Sequence, residues 1–191
     1  YQSLSKKIKN KILDDEQFWN ILNYDQWIIF QSLDQIYIYD TKTSRFSIIK
    51  PKNKILKAFE ANNSLYFQVA NEGLFEIENG KSKLVSSDSL VVNNKIIAIF
   101  SIDNGLLIKT QLNGFYSFIN GKFIPFFSAI NAKIESSSVY SCIQLSDKGF
   151  AIGTVSNGIF ILSDSGKLKY HITQSTGISN NTVLALFEDI E

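Results

Sequence analysis

The sequence has little of what most catalytic, metal or nucleic-acid chemistry requires. A single cysteine, Cys142, excludes an internal disulfide, and its apolar setting from Val139 to Ile143 reads as a small core residue. A single histidine, His171, has no second histidine or neighbouring cysteine to share a metal, so a structural place in an outer strand is expected and no metal or cofactor. Arg45 is the one arginine, and nineteen basic residues oppose eighteen acidic ones. A formal charge of +1 lacks the clustered cations that follow a phosphate backbone, so this segment is not expected to bind nucleic acid. Methionine is absent, which leads us to expect a piece of a longer product. Neither an apolar run of eighteen residues nor a charged-then-apolar leader occurs, so no membrane span or signal segment is expected within it.

What is abundant is aromatic and apolar. Fifteen Phe and eight Tyr with only two Pro favour strands, because such side chains fit a pleated, half-buried surface. Internal repetition makes the reading specific. Ile55 to Gly73 aligns without a gap on Ile96 to Gly114, Val139 to Gly158 follows with one extra residue in its first turn, and Phe18 to Gln35 follows with one fewer in its second. The period is about 40 residues.

Each unit predicts four short strands separated by turn residues. In the third, Ile96–Phe100, Leu106–Thr110, Phe115–Ile119 and Phe123–Phe127 are separated by Asp103 to Gly105, Asn113-Gly114 and Asn120-Gly121. Asn-Gly supplies the positive φ of tight hairpins. One such meander cannot bury both faces alone, so the units must pack on copies of themselves, as propeller blades do. The expected fold is therefore all-β: a partial β-propeller of four complete four-stranded antiparallel blades, at 18–54, 55–95, 96–138 and 139–182, plus fragments of two more. Residues 1–17 read either as the end of a preceding blade or as a short amphipathic helix using Leu4, Ile8, Ile12 and Leu13, and residues 183–191 as the first strand of a further blade.

The stretch Gly177 to Asp189, with Ile178-Ser-Asn-Asn-Thr-Val183 ahead of Glu188-Asp189, resembles the two-component regulator propeller repeat. Gly149 to Thr154 and Asn157-Gly-Ile-Phe160 are similar to the strands of that family. The first three units depart from it, with Phe30-Gln-Ser32, Phe67-Gln-Val69 and Ile108-Lys-Thr110 where Ile-Gly-Thr is expected. They are similar to the degenerate blades of Bacteroidetes hybrid two-component or triple-tyrosine regulators. The resemblance implies a non-catalytic periplasmic sensor region of an inner-membrane signalling protein. A sandwich module, a membrane helix and a kinase or DNA-binding output would follow it. It further implies a carbohydrate-derived or other polar small ligand, the rest of the propeller as partner, and compatibility with a homodimer of the full-length protein.

Alternative functions were weighed on the residues. A glycan hydrolase or lyase would need a pair of carboxylates, for which Asp25, Asp34, Glu60, Glu72, Asp103 and Glu188 are candidates, although turn or surface roles explain most of them better. An interaction scaffold would need no chemistry. Asn62 to Ser64 and Asn180 to Thr182 fit a glycosylation pattern that is common by chance. Propeller geometry puts the turns between second and third strands and the inter-blade returns on one face. The expected ligand residues there are Asp34, Gln35, Asn71, Glu72, Gln111, Asn113, Ser156 and Asn157. Trp19, Trp27 and Tyr140 are expected to pack between blades.

Overall fold

The computed structural model describes Ile12, residues 15–127, Ile130, Asn131, Ile134 and residues 137–189. Most of the segment read as blade end or helix, 1–17, lies outside the described residues. The chain divides into two compact units, Tyr1–Asn93 and Asn94–Glu191.

The first unit holds two antiparallel sheets in sequence order. One is β1 (Asn20–Tyr24), β2 (Trp27–Gln31), β3 (Ile36–Asp40) and β4 (Arg45–Ile49). The other is β5 (Ile55–Ala61), β6 (Ser64–Val69), β7 (Gly73–Glu78) and β8 (Lys81–Ser86), followed by the short helix α1 (Ser89–Asn93). The second unit repeats the plan with β9 (Ile96–Ile102), β10 (Gly105–Thr110), β11 (Phe115–Ile119) and β12 (Lys122–Phe126), then β13 (Val139–Gln144), β14 (Phe150–Thr154), β15 (Ile159–Leu162) and β16 (Leu168–Ile172). We call them sheets I to IV.

Turn chemistry fixes the hairpins. Asn62-Asn63, Asn79-Gly80 and Asn120-Gly121 hold positive φ at both central positions, the twist-matched geometry of a two-residue hairpin. Asn104-Gly105 obeys a different constraint. Gly105 already belongs to β10, and a Cβ there would lie 2.2 Å from the Phe118 carbonyl oxygen, so glycine serves close approach of β11.

The repeat also has a bulge. Pairing runs Ile55↔Val69 then Lys57↔Gln68, Ile96↔Thr110 then Ala98↔Lys109, and Val139↔Thr154 then Ser141↔Gly153. Leu56, Ile97 and Tyr140 are the extra residues, each in second place of its sheet's first strand. Burial is graded across each sheet. Every residue of β14 is buried, whereas β16 is exposed at four of five. A strand buried on both faces shows no alternation, which is why Phe150 to Thr154 reads as a plain apolar run.

In the first unit the core runs through Ile29, Ile36, Ile38, Ile55, Phe67 and Val69. In the second, Phe115, Phe150, Phe100 and Phe127 form a ring cluster with centroids 5.2–5.6 Å apart. Asn131 closes that core. Its Oδ1 accepts the Phe115 N–H at 3.0 Å and its Nδ2 donates to the Phe126 carbonyl at 2.8 Å.

Two amide side chains tie sheet I to sheet II. Asn20 and Gln31 are cross-strand partners. Asn20 Nδ2 donates to the Ala58 carbonyl at 3.0 Å, and the Ala58 N–H donates to Gln31 Oε1 at 3.2 Å. Both groups of one β5 peptide position are thereby satisfied from the neighbouring sheet.

Residues 183–189 form no strand among the described residues, because no described segment offers them a ladder. The Val183 N–H donates to the Thr154 carbonyl at 2.8 Å, and Glu188 accepts from the Ser146 N–H and hydroxyl at 2.8 and 2.9 Å. The expected packing roles of Trp19 and Tyr140 also need correction. Trp19 precedes β1 and is 64% exposed, and Tyr140, as a bulge residue, is 50% exposed. Trp27 is half-buried and tilts against Tyr24 at 6.1 Å. Cys142 is half-buried rather than fully so. His171 lies in β16, stacks on Phe160 at 4.2 Å, and pairs through Nε2 with the Asn157 carbonyl at 2.7 Å.

Gln31→Ala leaves the buried Ala58 N–H without its acceptor and should destabilise the chain by about 1–3 kcal/mol. In urea titrations Gln17→Ala, at an exposed position, is expected to stay within about 0.5 kcal/mol of wild type. Equal midpoints for the two variants would remove the clasp from the account of stability.

A second expectation concerns pH. The Thr43 N–H, followed by the Thr43 hydroxyl, the Lys42 N–H and the Trp27 indole, holds the Asp40 carboxyl below its ordinary 3.8 despite some desolvation. A depressed folded value means that the stabilisation is present above pH 3.8 and is lost as pH falls through the lower folded value. Carboxyl NMR should give Asp40 a midpoint below 3.8, and Asp40→Asn should abolish that part of the acid dependence.

Candidate functional site

The candidate site is the end of the sheets where second strands turn into third strands. A buried hydroxyl builds that turn in three sheets. Thr154 Oγ1 accepts the Asn157 N–H at 2.8 Å while its N–H donates to the Gly158 carbonyl at 3.1 Å. Thr110 does the same with Asn113 and Gly114, both at 3.0 Å, and Ser32 accepts from the Gln35 N–H at 2.9 Å. Ser32, Thr110 and Thr154 are at most 1% exposed, so these bonds are made away from competing water. Side-chain hydroxyls that satisfy nearby backbone groups are the usual basis of such turns.

Six of the eight expected ligand residues lie on these turns, and Asn71 and Glu72 lie on the corresponding β6–β7 turn of sheet II. The structure brings most of them against an inter-sheet return. Asp34 Oδ1 receives the Lys54 ammonium at 2.6 Å. Glu72 accepts from the Asn53 N–H and amide at 3.2 and 2.9 Å. Asn113 donates to Asn94 at 2.8 Å, Gln111 to Ser138 at 3.0 Å, and Asn157 to Ser137 at 2.6 Å. Gln35 is 4% exposed and so offers its side chain little contact with solvent. Asn71 and Ser156 are exposed and carry no described side-chain partner. These polar groups therefore fasten each turn to a neighbouring return, and a ligand would compete with or bridge those contacts.

Asp34 also lines a pocket of about 190 Å³ in the first unit, together with Asp15, Glu16, Gln17, Trp19, Ser32 and Leu33. Glu16 is a residue that sequence reasoning passed over. Its carboxylate accepts from the Ser32 and Tyr37 hydroxyls, both on buried side chains. Position alone gave no signal, since Glu16 precedes the first strand and meets Tyr37 across the sheet. Trp19 stands over the pocket as an exposed ring. The arrangement can offer a carboxylate and an aromatic face to a small polar molecule.

The other carboxylates lie elsewhere on their own sheets. Asp25 and Asp103 occupy first-to-second-strand turns at the opposite end of their sheets, Glu60 lies near the opposite end of β5, and Glu188 is spent on Ser146. Among the described residues no three His, Cys, Asp or Glu side chains gather as metal ligands. No described helix is long and apolar enough to cross a membrane.

No protein-family model matches the sequence, and no curated protein matches it. Solved structures do. The chain is similar to the extracellular domain assigned to a hybrid two component system of B. thetaiotaomicron, with 20% identity and a TM-score of 0.63 over 91% of this chain and 24% of that one. A second extracellular domain from the same organism, assigned to a one component system, matches at 17% identity and a TM-score of 0.65, over 92% of this chain and 25% of that one. The WD40 beta propeller domain of Doa1 matches at 9% identity and a TM-score of 0.55, over 82% of this chain and 54% of that one. At these identities the likeness is one of fold. The chain is built of propeller-like blades and spans about a quarter of the length of the first two structures it matches.

Asp34→Asn removes an ion pair whose partners are 41% and 60% exposed, so its effect on stability should stay below about 1 kcal/mol. A urea midpoint shift beyond that would mean that Asp34 supports the turn through more than Lys54.

Proposed function

We infer that this chain is a stretch of four complete blades, with fragments of two more, from a larger propeller that serves as the extracytoplasmic sensor of a bacterial signalling protein. The observation that carries this reading is coverage. At least 91% of the chain matches each of two extracellular domains assigned to a hybrid two component and a one component system, yet it fills only about a quarter of either. The sequence resemblance in residues 139–191 points the same way.

In this reading the segment is periplasmic and does no chemistry of its own. A carbohydrate-derived or other polar ligand binds at the loop end of the first unit, around Trp19, Asp34 and the exposed Asn71. Binding biases the latches between turns and returns. Each latch is one or two hydrogen bonds or an exposed ion pair, each bond or pair worth about 1 kcal/mol, so a ligand can exchange it at little cost. A following sandwich module and membrane helix would pass the change to a kinase or DNA-binding output.

The test is a titration of the protein carrying its complete propeller with a panel of oligosaccharides, read by calorimetry. A saturable response that Trp19→Ala weakens by roughly tenfold or more supports the reading, since an aromatic anchor contributes on that scale. Binding unaffected by Trp19→Ala and Asp34→Asn would move the site elsewhere. A reading frame that contains neither a membrane helix nor an output domain would end the sensor assignment.

A further inference from the structure

At the opposite end of the strands from the loop site, the first unit holds a larger cleft that nothing above uses. It has a volume of about 480 Å³, inside the roughly 300–1,000 Å³ range of small-molecule sites. Trp27, Ile38 and Phe46 of sheet I and Ile77 of sheet II supply its apolar wall, and the Asn79-Gly80 turn closes over it. That closure is tight: a Cβ on Gly80 would stand 3.3 Å from Ser47 Oγ.

Two charged side chains line the cleft, Asp40 and Arg45, and they face each other across β3 and β4. They are in different states. The Asp40 carboxylate is occupied, with Oδ1 accepting the Lys42 and Thr43 N–H groups at 2.9 Å each and Oδ2 the Gln26 amide at 3.2 Å. Its work is to hold the β3–β4 turn. Arg45, the one arginine of the chain, is exposed, and its guanidinium has neither an ion pair nor a hydrogen bond among the described residues. A guanidinium presents five donors in a planar fork that matches an oxyanion, and it stays charged at any physiological pH.

We propose that this cleft binds a small ring-bearing carboxylate, with Arg45 gripping the oxyanion and Trp27 and Phe46 receiving the ring. Asn79 supplies a hydrogen-bonding amide at the rim. A sugar acid and an aromatic acid share this chemistry, and the experiment separates them.

The test uses ¹⁵N-labelled protein and follows the Trp27 indole N–H, told apart from that of Trp19 with a Trp19→Phe variant. The probes are glucuronate, benzoate and the uncharged methyl glucoside. A saturable shift with either carboxylate and not with the glucoside is expected, and the better of the two identifies the ring class. Arg45→Gln should weaken binding by roughly tenfold or more. Arg45→Lys should recover only part of the loss, because an ammonium lacks the fork. Lys42→Gln removes a neighbouring charge outside the cleft lining and should leave binding unchanged.

Three results would overturn the proposal: no saturation with either carboxylate up to tens of millimolar, equal binding of the glucoside, or equal losses from Lys42→Gln and Arg45→Gln. Arg45 is exposed and bears no structural contact, so unchanged urea midpoints will exclude misfolding as the cause of a loss. Because the loop end is untouched by these variants, failure here leaves the loop-site reading to its own test.

Discussion

The first strand of every sheet has one edge that its own sheet cannot pair, and much of the architecture answers that constraint. An unsatisfied buried peptide group costs about 1–3 kcal/mol, and a seven-residue strand such as β5 presents several. Between sheets I and II the answer is a pair of side-chain amides, because an amide carries both a donor and an acceptor. Asn20 and Gln31 supply one of each to Ala58. A hydrophobic pair of the same size would bury the edge and leave both groups orphaned.

The position of Gln31 recurs in each sheet, and its occupant differs with what approaches it. Gln68 is fully buried and donates to the Val91 carbonyl of α1 at 2.7 Å. Lys109, equally buried, donates to the Thr110 carbonyl at 2.8 Å and lies 5.5 Å from the Phe115 ring centre. In sheet IV the position is Gly153, and a Cβ there would lie 2.4 Å from Ser141 Oγ, 2.8 Å from Val183 Cγ1 and 3.0 Å from the Val183 carbonyl oxygen. The glycine of the family-like stretch is thus a spacing device that lets the following segment lie directly on the sheet. The long polar side chains of the other three sheets bond to backbone instead: Gln31 to β5, Gln68 to α1 and Lys109 to the end of its own strand. The departure of the first three units from the Ile-Gly-Thr pattern changes what this position bonds while leaving the strands intact.

Strands and hairpins were legible because their causes are local. Asn120-Gly121 announces the positive φ found there, and even Asn104-Gly105, which does not hold it, marks a turn. The bulge was half legible: the gapless alignment carries it from unit to unit, but an extra residue opposite a partner cannot be seen until the register is known. Trp19 and Tyr140 were misjudged since aromatic type indicates burial only on average, and a residue before a strand or in a bulge escapes the sheet's alternation. Glu16 was invisible for a stricter reason. Its partners Ser32 and Tyr37 lie 16 and 21 residues away, and no periodicity links a carboxylate to hydroxyls at those distances. The expected ligand residues lie on the second-to-third-strand turns, while the bonds that occupy them depend on returns whose paths the sequence does not fix.

The two ends of the sheets differ in which polar side chains are left over, and the difference follows from partners. The four-residue β3–β4 turn, residues 41–44, is held by the Asp40 carboxylate, which takes the Lys42 and Thr43 N–H groups, and Arg45 beside it is left over. At the other end the turns and returns consume one another's polar side chains: Asp34 takes Lys54, Glu72 takes Asn53, Asn157 takes Ser137. A polar side chain that already has a structural partner is therefore weaker evidence for a ligand than a charged one that has none. In this chain, residue type and loop position pointed to Asp34 and Glu72, and accounting for partners points to Arg45.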